Sequence, residues 1–360
     1  MRKPAATCLD LLDEFAKYIL DSQKGRRTQK NGTRILKGSL LKIGVTYKTL
    51  QDFSKKKKFE LRIKILSKNN KRELKAEKYY WQRFYQKFTD YLYNDLNCYD
   101  NYVGSVIKDI KAFFNYLAIE KNISVGNFHR QFYVYPERIA INTLDQLQLN
   151  KIIYDKEFEA GLSPTLQKVK DILLVGCTVA LRYSDLITLK NTNLELLNDQ
   201  YYLKVQSKKT KVYTRVKLPG YVVEIFGKYG KRTNRLLPYY NVGMLNLYLK
   251  ELAELAGWTN EVIKTRQKRG IALVVYNDHK KQTHYRFCDH MSSHIMRRTA
   301  ITTLLSLQMP EHLVKKISGH APDSREFHKY VAVSQQYLDS ETDKIYEKIE
   351  GQKQGFLLQN

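Results

Sequence analysis

Apolar residues recur at helical spacing through most of this 360-residue chain. Residues 7–20 read as an amphipathic helix, followed by a polar, Lys- and Arg-rich loop. Residues 44–54 predict a second helix, which leads into the charge run Lys55, Lys56, Lys57, Lys58. A long helical pattern spans 71–97, with Trp81, Phe84, Phe88 and Leu92 on one face. Asn101 caps another through Ile119, with Val103, Ile107, Ile110, Phe114 and Leu117 apolar. The aromatic stripe reads as core rather than as a platform for stacking bases. Over 122–141 the periodicity lapses and Gly126, Arg130 and Pro136 appear, which places a domain boundary near 132–138. Helical spacing resumes from Thr143. Ser163-Pro164 opens a helix that ends in a nearly all-apolar run, and a short helix with Arg182 at its entrance follows it. YYLKV and VYTRVKL flank a polar turn and predict a β-hairpin with Lys208, Lys209 and Lys211 at its tip. A helix over 241–256 ends at Gly257, and 262–286 reads as loop and weak strand. Ser292-Ser293 opens a helix through HIMRRTAITTLLSL. Another runs from Pro310 to Gly319, and a terminal helix starts near 335. The fold class is mostly α: a helical domain over 1–132, then a mixed α/β domain over 138–350, mainly helical with a small antiparallel sheet and a C-terminal tail.

Charge adds a partner to this outline. The net charge is +26 and the pI about 9.7, which points to a polyanion. Residues 1–130 carry 28 Lys and Arg against 13 Asp and Glu, and residues 131–360 carry 34 against 23, so both halves are candidates to touch phosphate. A generally basic soluble surface is the plainer alternative. Cys8, Cys98, Cys177 and Cys288 are scattered, which argues against a disulfide framework and for a reducing compartment. Apolar runs such as ILLV at 172–175 are far too short for a membrane span, and Asp10, Asp13 and Glu14 stand where a signal peptide is apolar. The expectation is a cytoplasmic, DNA-associated protein with no membrane partner.

The chemistry gathers between Ser292 and Tyr330. Seven of the eight His lie between His279 and His328. His294 and Arg297 share a helix face, His320 follows the terminating Gly319, and Tyr330 lies ten residues further on. Arg and His supply fixed donors to phosphate oxygens gaining negative charge. Tyr is a nucleophile once activated. His290 and His294 stand four apart, as a zinc pair would, but no Glu follows the first as in H-E-x-x-H, so no metal site is expected.

H-x-x-R, then G-H, then Tyr about ten residues later resembles the C-terminal signature of the tyrosine recombinases, the phage integrase family. Ala180-Leu181-Arg182-Tyr183-Ser184-Asp185-Leu186 is similar to that family's first box, with Ala180 in place of the usual Gly. The resemblance implies a site-specific DNA recombinase or integrase of a mobile element, with a helical core-binding domain followed by the catalytic domain, the two closing around a duplex. By that resemblance Tyr330 attacks a scissile phosphate and forms a 3′-phosphotyrosyl intermediate. Arg182 and Arg297 neutralise the non-bridging oxygens and His320 donates to them. His294 positions or accepts the tyrosyl proton, and Lys209 protonates the leaving 5′ oxygen, with Lys208 and Lys211 as rivals. Lys55, Lys56, Lys57, Lys58, Lys208, Lys211 and Arg298 are DNA-contact candidates. No cofactor, ATP or metal is implied. The partners are double-stranded DNA and three further copies of the chain, joined by exchange of C-terminal tails; a DNA-bending accessory protein is compatible with that assembly. Two rival readings are a type IB topoisomerase-like relaxing enzyme and a non-catalytic DNA-binding protein with a decayed site.

Overall fold

The computed structural model describes residues 8–29, 32–66, 70–137, 139–208, 212–230, 234–277, 284–321, 324, 327–331, 339 and 342–343. The chain divides into two compact units, residues 1–139 with 265–275, and residues 140–264 with 276–360. The break expected near 132–138 therefore falls at 139/140, and a piece of the expected second domain belongs to the first unit.

In the first unit, elements numbered along the chain are β1 (Cys8–Asp10), α1 (Leu11–Gln23), α2 (Lys37–Lys57), β2 (Arg62–Lys64), α3 (Lys71–Asp90) and α4 (Asp100–Ile119). The first helix starts at Leu11 rather than residue 7 because Asp10 caps it. The Asp10 carboxylate accepts the Leu12 and Asp13 amides at 2.7 and 3.0 Å, while Cys8–Asp10 pairs with β2. The second helix is longer than expected: Lys55–Lys57 form its last turn, where cations suit the helix dipole, and Lys58 closes it with φ 47°. A single π-helical turn, Tyr91–Asp95, extends α3. The aromatic stripe is core. Phe84, Phe88 and Leu92 are fully buried, as are Phe15, Phe53 and Phe113 from the neighbouring helices. Trp81 stands edge-on to Phe114 at 4.8 Å.

Residues 265–275, expected as loop and weak strand, form a hairpin of β7 (Thr265–Lys268) and β8 (Ile271–Val274). Its turn residues Arg269 and Gly270 both have positive φ, 54° and 80°, which matches the twist of a two-residue hairpin. Two carboxylates hold it in the first unit. Solvent-free Asp100 accepts the Arg269 and Gly270 amides at 2.7 and 2.8 Å and the Tyr93 hydroxyl at 2.7 Å. Buried Glu137 accepts Arg266 Nε at 2.6 Å and the Gln267 and Asn101 amides at 3.1 and 3.0 Å. Asp100→Ala strands three donors in a dry site. It is expected to destabilise the protein by about 2–4 kcal/mol, read as a lower urea midpoint at unchanged m; a shift within error would mean that water replaces the carboxylate.

The second unit contains α5 (Gln146–Tyr154), α6 (Lys156–Ala160), α7 (Pro164–Val179), α8 (Tyr183–Leu186), β3 (Leu194–Leu197), β4 (Gln200–Gln206), β5 (Tyr213–Lys217), α9 (Gly220–Gly230), α10 (Val242–Leu255), the short pair β6 (Glu261–Val262) and β9 (Tyr285–Arg286), α11 (Ser293–Ser306), α12 (Glu311–Ser318) and α13 (His328–Val331). The expected hairpin is the β4–β5 pair of a three-stranded antiparallel sheet, order β3-β4-β5, with Leu203 opposite Val216. Burying both faces of α7 builds the core, with Val169, Ile172, Leu173, Val175 and Val179 at 0% exposure. At Gly176 a Cβ would stand 2.6 Å from Met296 Sδ and 2.9 Å from Met296 Cβ, so α11 crosses α7 where only glycine fits. No described helix is long and apolar enough to cross a membrane. Lys209, Lys211 and nearly all of the C-terminal tail lie outside the described residues.

Candidate active site

The close α7–α11 crossing places the end of α7 against the middle of α11. Ala180, the cap of α7, has a left-handed backbone (φ 55°) and is fully buried. An alanine there is strained relative to glycine, but the turn aims its carbonyl at α11. Arg297 Nη1 donates to that carbonyl at 2.9 Å. Arg182, two residues on, is the N-cap of α8 and donates from Nη1 to Ser207 Oγ at 3.0 Å, which ties it to the end of β4.

Helix α12 ends at Gly319, whose φ of 64° lets the chain reverse so that the His320 amide reaches the Lys315 carbonyl at 2.9 Å. That turn carries the imidazole to Arg297, whose Nη2 stands 3.2 and 3.1 Å from His320 Nδ1 and Nε2. Ser318 Oγ lies 2.8 Å from Nδ1. Tyr330, on α13, completes the group. Its ring centroid is 6.0 Å from that of His320 and 5.9 Å from that of Phe327, and its phenol is close enough to Arg297 to favour the charged guanidinium. Phe327, Ala180, Ala300, Ile301, Leu305 and Val314 form a small apolar cluster beneath. Gly319→Ala adds a left-handed strain and a Cβ 3.3 Å from Thr214 Cγ2. It is expected to cost about 1–2 kcal/mol and to move His320, read as a lower melting temperature and a changed His320 NMR environment; an unchanged pair would show the turn to be tolerant.

The electrostatics follow from this crowding. Burial pushes the Arg297 guanidinium down to about 10, and Arg182 beside it adds to the effect, while Tyr330 and Asp185 oppose it. Arg297 therefore stays charged at neutral pH. Burial, then the cations Arg297, Arg182 and Lys315, push His320 down to about 3, so the imidazole is neutral there.

Arg182, Arg297, His320 and Tyr330 are thus brought together from four separate elements. His294 stands exposed on the first turn of α11, one turn before buried Arg297. The Ser292 side chain does not cap that helix; Asn246 Oδ1 instead accepts the Ser293 amide at 2.8 Å. His290 packs on the Tyr285 ring, and among the described residues no group of three His, Cys, Asp or Glu is placed to hold a metal. The Lys208 amine is spent on the protein: it donates to the Ser184 carbonyl at 3.0 Å and Thr188 Oγ1 at 2.8 Å, and its amide to Asp185 Oδ1 at 3.3 Å. Lys55–Lys58 are exposed, with Lys56 and Lys57 paired to Asp95 at 3.1 and 2.8 Å, and Arg298 is half-buried. Sequence reasoning missed Ser207 and Ser318. Serines in a strand end and a helix end carry no signal of the partner they meet.

No protein-family model and no curated protein matches this sequence. Solved structures do. XerH site-specific recombinase bound to palindromic difH substrate matches at a TM-score of 0.54 and 14% identity, over 92% of this chain and 85% of that one. A lambda integrase tetramer bound to a Holliday junction matches at 0.56 and 12%, over 88% and 79%. Tn1549 transposon integrase in complex with transposon right end DNA matches at 0.56 and 15%, over 94% and 99%. At such identities the likeness is one of fold, and it runs through both units of the chain. This chain shares its fold with XerH recombinase, lambda integrase and Tn1549 integrase.

Proposed function

We propose that the chain is a site-specific DNA recombinase that cuts and rejoins double-stranded DNA through a 3′-phosphotyrosyl intermediate at Tyr330. The observation that carries this reading is the gathering of Arg182, Arg297 and His320 into one site with the Tyr330 ring packed on His320, and with Arg297 buried and charged. Such a set binds a phosphodiester and stabilises the charge of a pentavalent phosphorane, because its donors are oriented before the substrate arrives. Tyr330 Oη attacks phosphorus in line, Arg182 and Arg297 hold the non-bridging oxygens, and the 5′ oxygen leaves. The phosphotyrosine keeps the bond energy, so a free 5′ hydroxyl reverses the step without ATP. A hairpin lysine protonates the leaving oxygen. The Lys208 amine is already held on α8, which favours Lys209 or Lys211. The net charge of +26 supplies the general attraction to the duplex, and α3, with Lys75 and Lys78 exposed, adds to it. The assembly is four copies on DNA, in line with the tetramer of similar fold, with C-terminal tails exchanged between them.

The test is incubation with supercoiled plasmids carrying, or lacking, DNA from the flanks of the gene. Joined products that map to one position only on the flank-bearing plasmid are expected. Relaxation of both plasmids alike would replace this reading with a topoisomerase, and tight binding without any strand breakage would replace it with a DNA-binding module.

A further inference from the structure

The Ser318 hydroxyl has one proton and two short polar contacts. Its oxygen lies 2.7 Å from the Val314 carbonyl oxygen and 2.8 Å from His320 Nδ1, with the Lys315 carbonyl farther off at 3.3 Å. Two lone-pair atoms do not rest that close without a hydrogen between them. The Val314 carbonyl has none to give, so the hydroxyl donates there. The hydrogen between Oγ and Nδ1 then belongs to the imidazole. Neutral His320 is therefore the Nδ1–H tautomer, with a lone pair on Nε2. Arg297 Nη2 does not consume that lone pair in line. A donor aligned with one ring nitrogen would stand much farther from the other, yet the two distances are nearly equal at 3.2 and 3.1 Å. An imidazole so held cannot donate from Nε2 to a phosphate until it has first gained a proton.

We propose that Ser318 is a positioning residue that fixes His320 as the Nδ1–H imidazole, and that His320 Nε2 accepts the Tyr330 proton as the phenol attacks. The second half rests on the phosphotyrosyl reading. The Oη–P bond forms as Oη–H breaks and the proton passes to Nε2. The P–O5′ bond breaks, and its electron pair leaves with the 5′ oxygen, which takes a proton from the hairpin lysine. The imidazolium keeps Nδ1–H on Ser318 and now donates from Nε2 to a non-bridging oxygen. The proton shed by the nucleophile thus lands where negative charge is growing. The cations Arg297, Arg182 and Lys315 face this ring, and the bound phosphate offsets them. Rejoining returns the proton to Oη. His320 takes the acceptor role that the sequence pattern left with His294, which is exposed.

The first measurement is nitrogen NMR of DNA-free protein labelled at histidine, with the His320 signals identified by their loss in His320→Gln. Wild type and Ser318→Thr should show a protonated Nδ1 and a bare Nε2, whereas Ser318→Ala should lose that signature. The second is single-turnover adduct formation on nicked flank duplexes with oxygen or sulfur at the bridging 5′ position. Sulfur leaves without a general acid, so it isolates nucleophile activation. Ser318→Ala should slow adduct formation about 100-fold with either leaving atom, with duplex binding unchanged, and Ser318→Thr should restore it. An Nε2–H tautomer in wild type overturns the proposal whatever the DNA chemistry, as does a Ser318→Ala defect that disappears with sulfur. A wild type with the expected tautomer but no adduct instead overturns the phosphotyrosyl reading, and the acceptor role with it.

Discussion

Tyr330→Phe is expected to abolish the covalent protein–DNA adduct on nicked duplexes while leaving duplex binding unchanged. The substitution removes one oxygen. The ring that packs on His320 and Phe327 remains, so the apolar cluster beneath the site keeps its shape. On the proposed reading, phosphate affinity comes from Arg182, Arg297 and the general positive charge, none of which is altered. What is lost is the atom that the proposed reaction bonds to phosphorus. A denaturing gel reads the result directly. Tyr337→Phe serves as the control: that residue lies outside the described segment, and its adduct should persist. If Tyr330→Phe still forms the adduct, the nucleophile is elsewhere and the site described above is not the reaction centre.

The second large effect is expected at Arg297. Arg297→Ala should lower the rate of adduct formation by about 10²–10³-fold or more, the usual cost of losing one oriented donor to a developing oxyanion. It should also destabilise the fold by about 1–3 kcal/mol, because the buried Ala180 carbonyl loses its partner. Arg297→Lys keeps the charge but not the fork that spans Ala180 and His320, so it should recover less than a tenth of the rate. A lysine variant near wild type would show that a point charge is enough. A further consequence has a definite sign. Arg297 is the first of the cations that, together with burial, hold His320 down to about 3. Its removal should therefore raise the titration midpoint of His320, and an NMR titration would show it.

Much of the site could be read from the sequence because its spacing is local. One helix end sets Gly319 and His320, and one helix turn relates His294 to Arg297. Arg182 was legible as a charge following an apolar run, and the nearly fully buried α7 explains why such a charge must face a polar site. The remainder depended on contacts between distant residues. Nothing near Ser207 indicates that it meets Arg182, and nothing near Lys208 indicates that its amine is occupied at Ser184 and Thr188. The hairpin at 265–275 was misread because its partners, Asp100 and Glu137, lie more than a hundred residues earlier. Its exposed apolar strand and basic companion look like loop when those carboxylates are not in view. Strand β3 went unread because it is four residues long and defined by pairing with β4, whereas α9 carries helical spacing in Val222, Ile225 and Phe226 that the sequence did offer.

That discontinuous first unit also imposes an order of events during synthesis. Helices α1 to α4 are made by residue 119, yet the hairpin that satisfies Asp100 and Glu137 is not made until residue 275. At a translation speed of about 5–20 residues per second, the unfinished unit waits roughly 10–30 s with two hydrated carboxylates standing in for its missing hairpin. Its completion is thereby timed to the arrival of the segment that leads directly into the helix of Arg297.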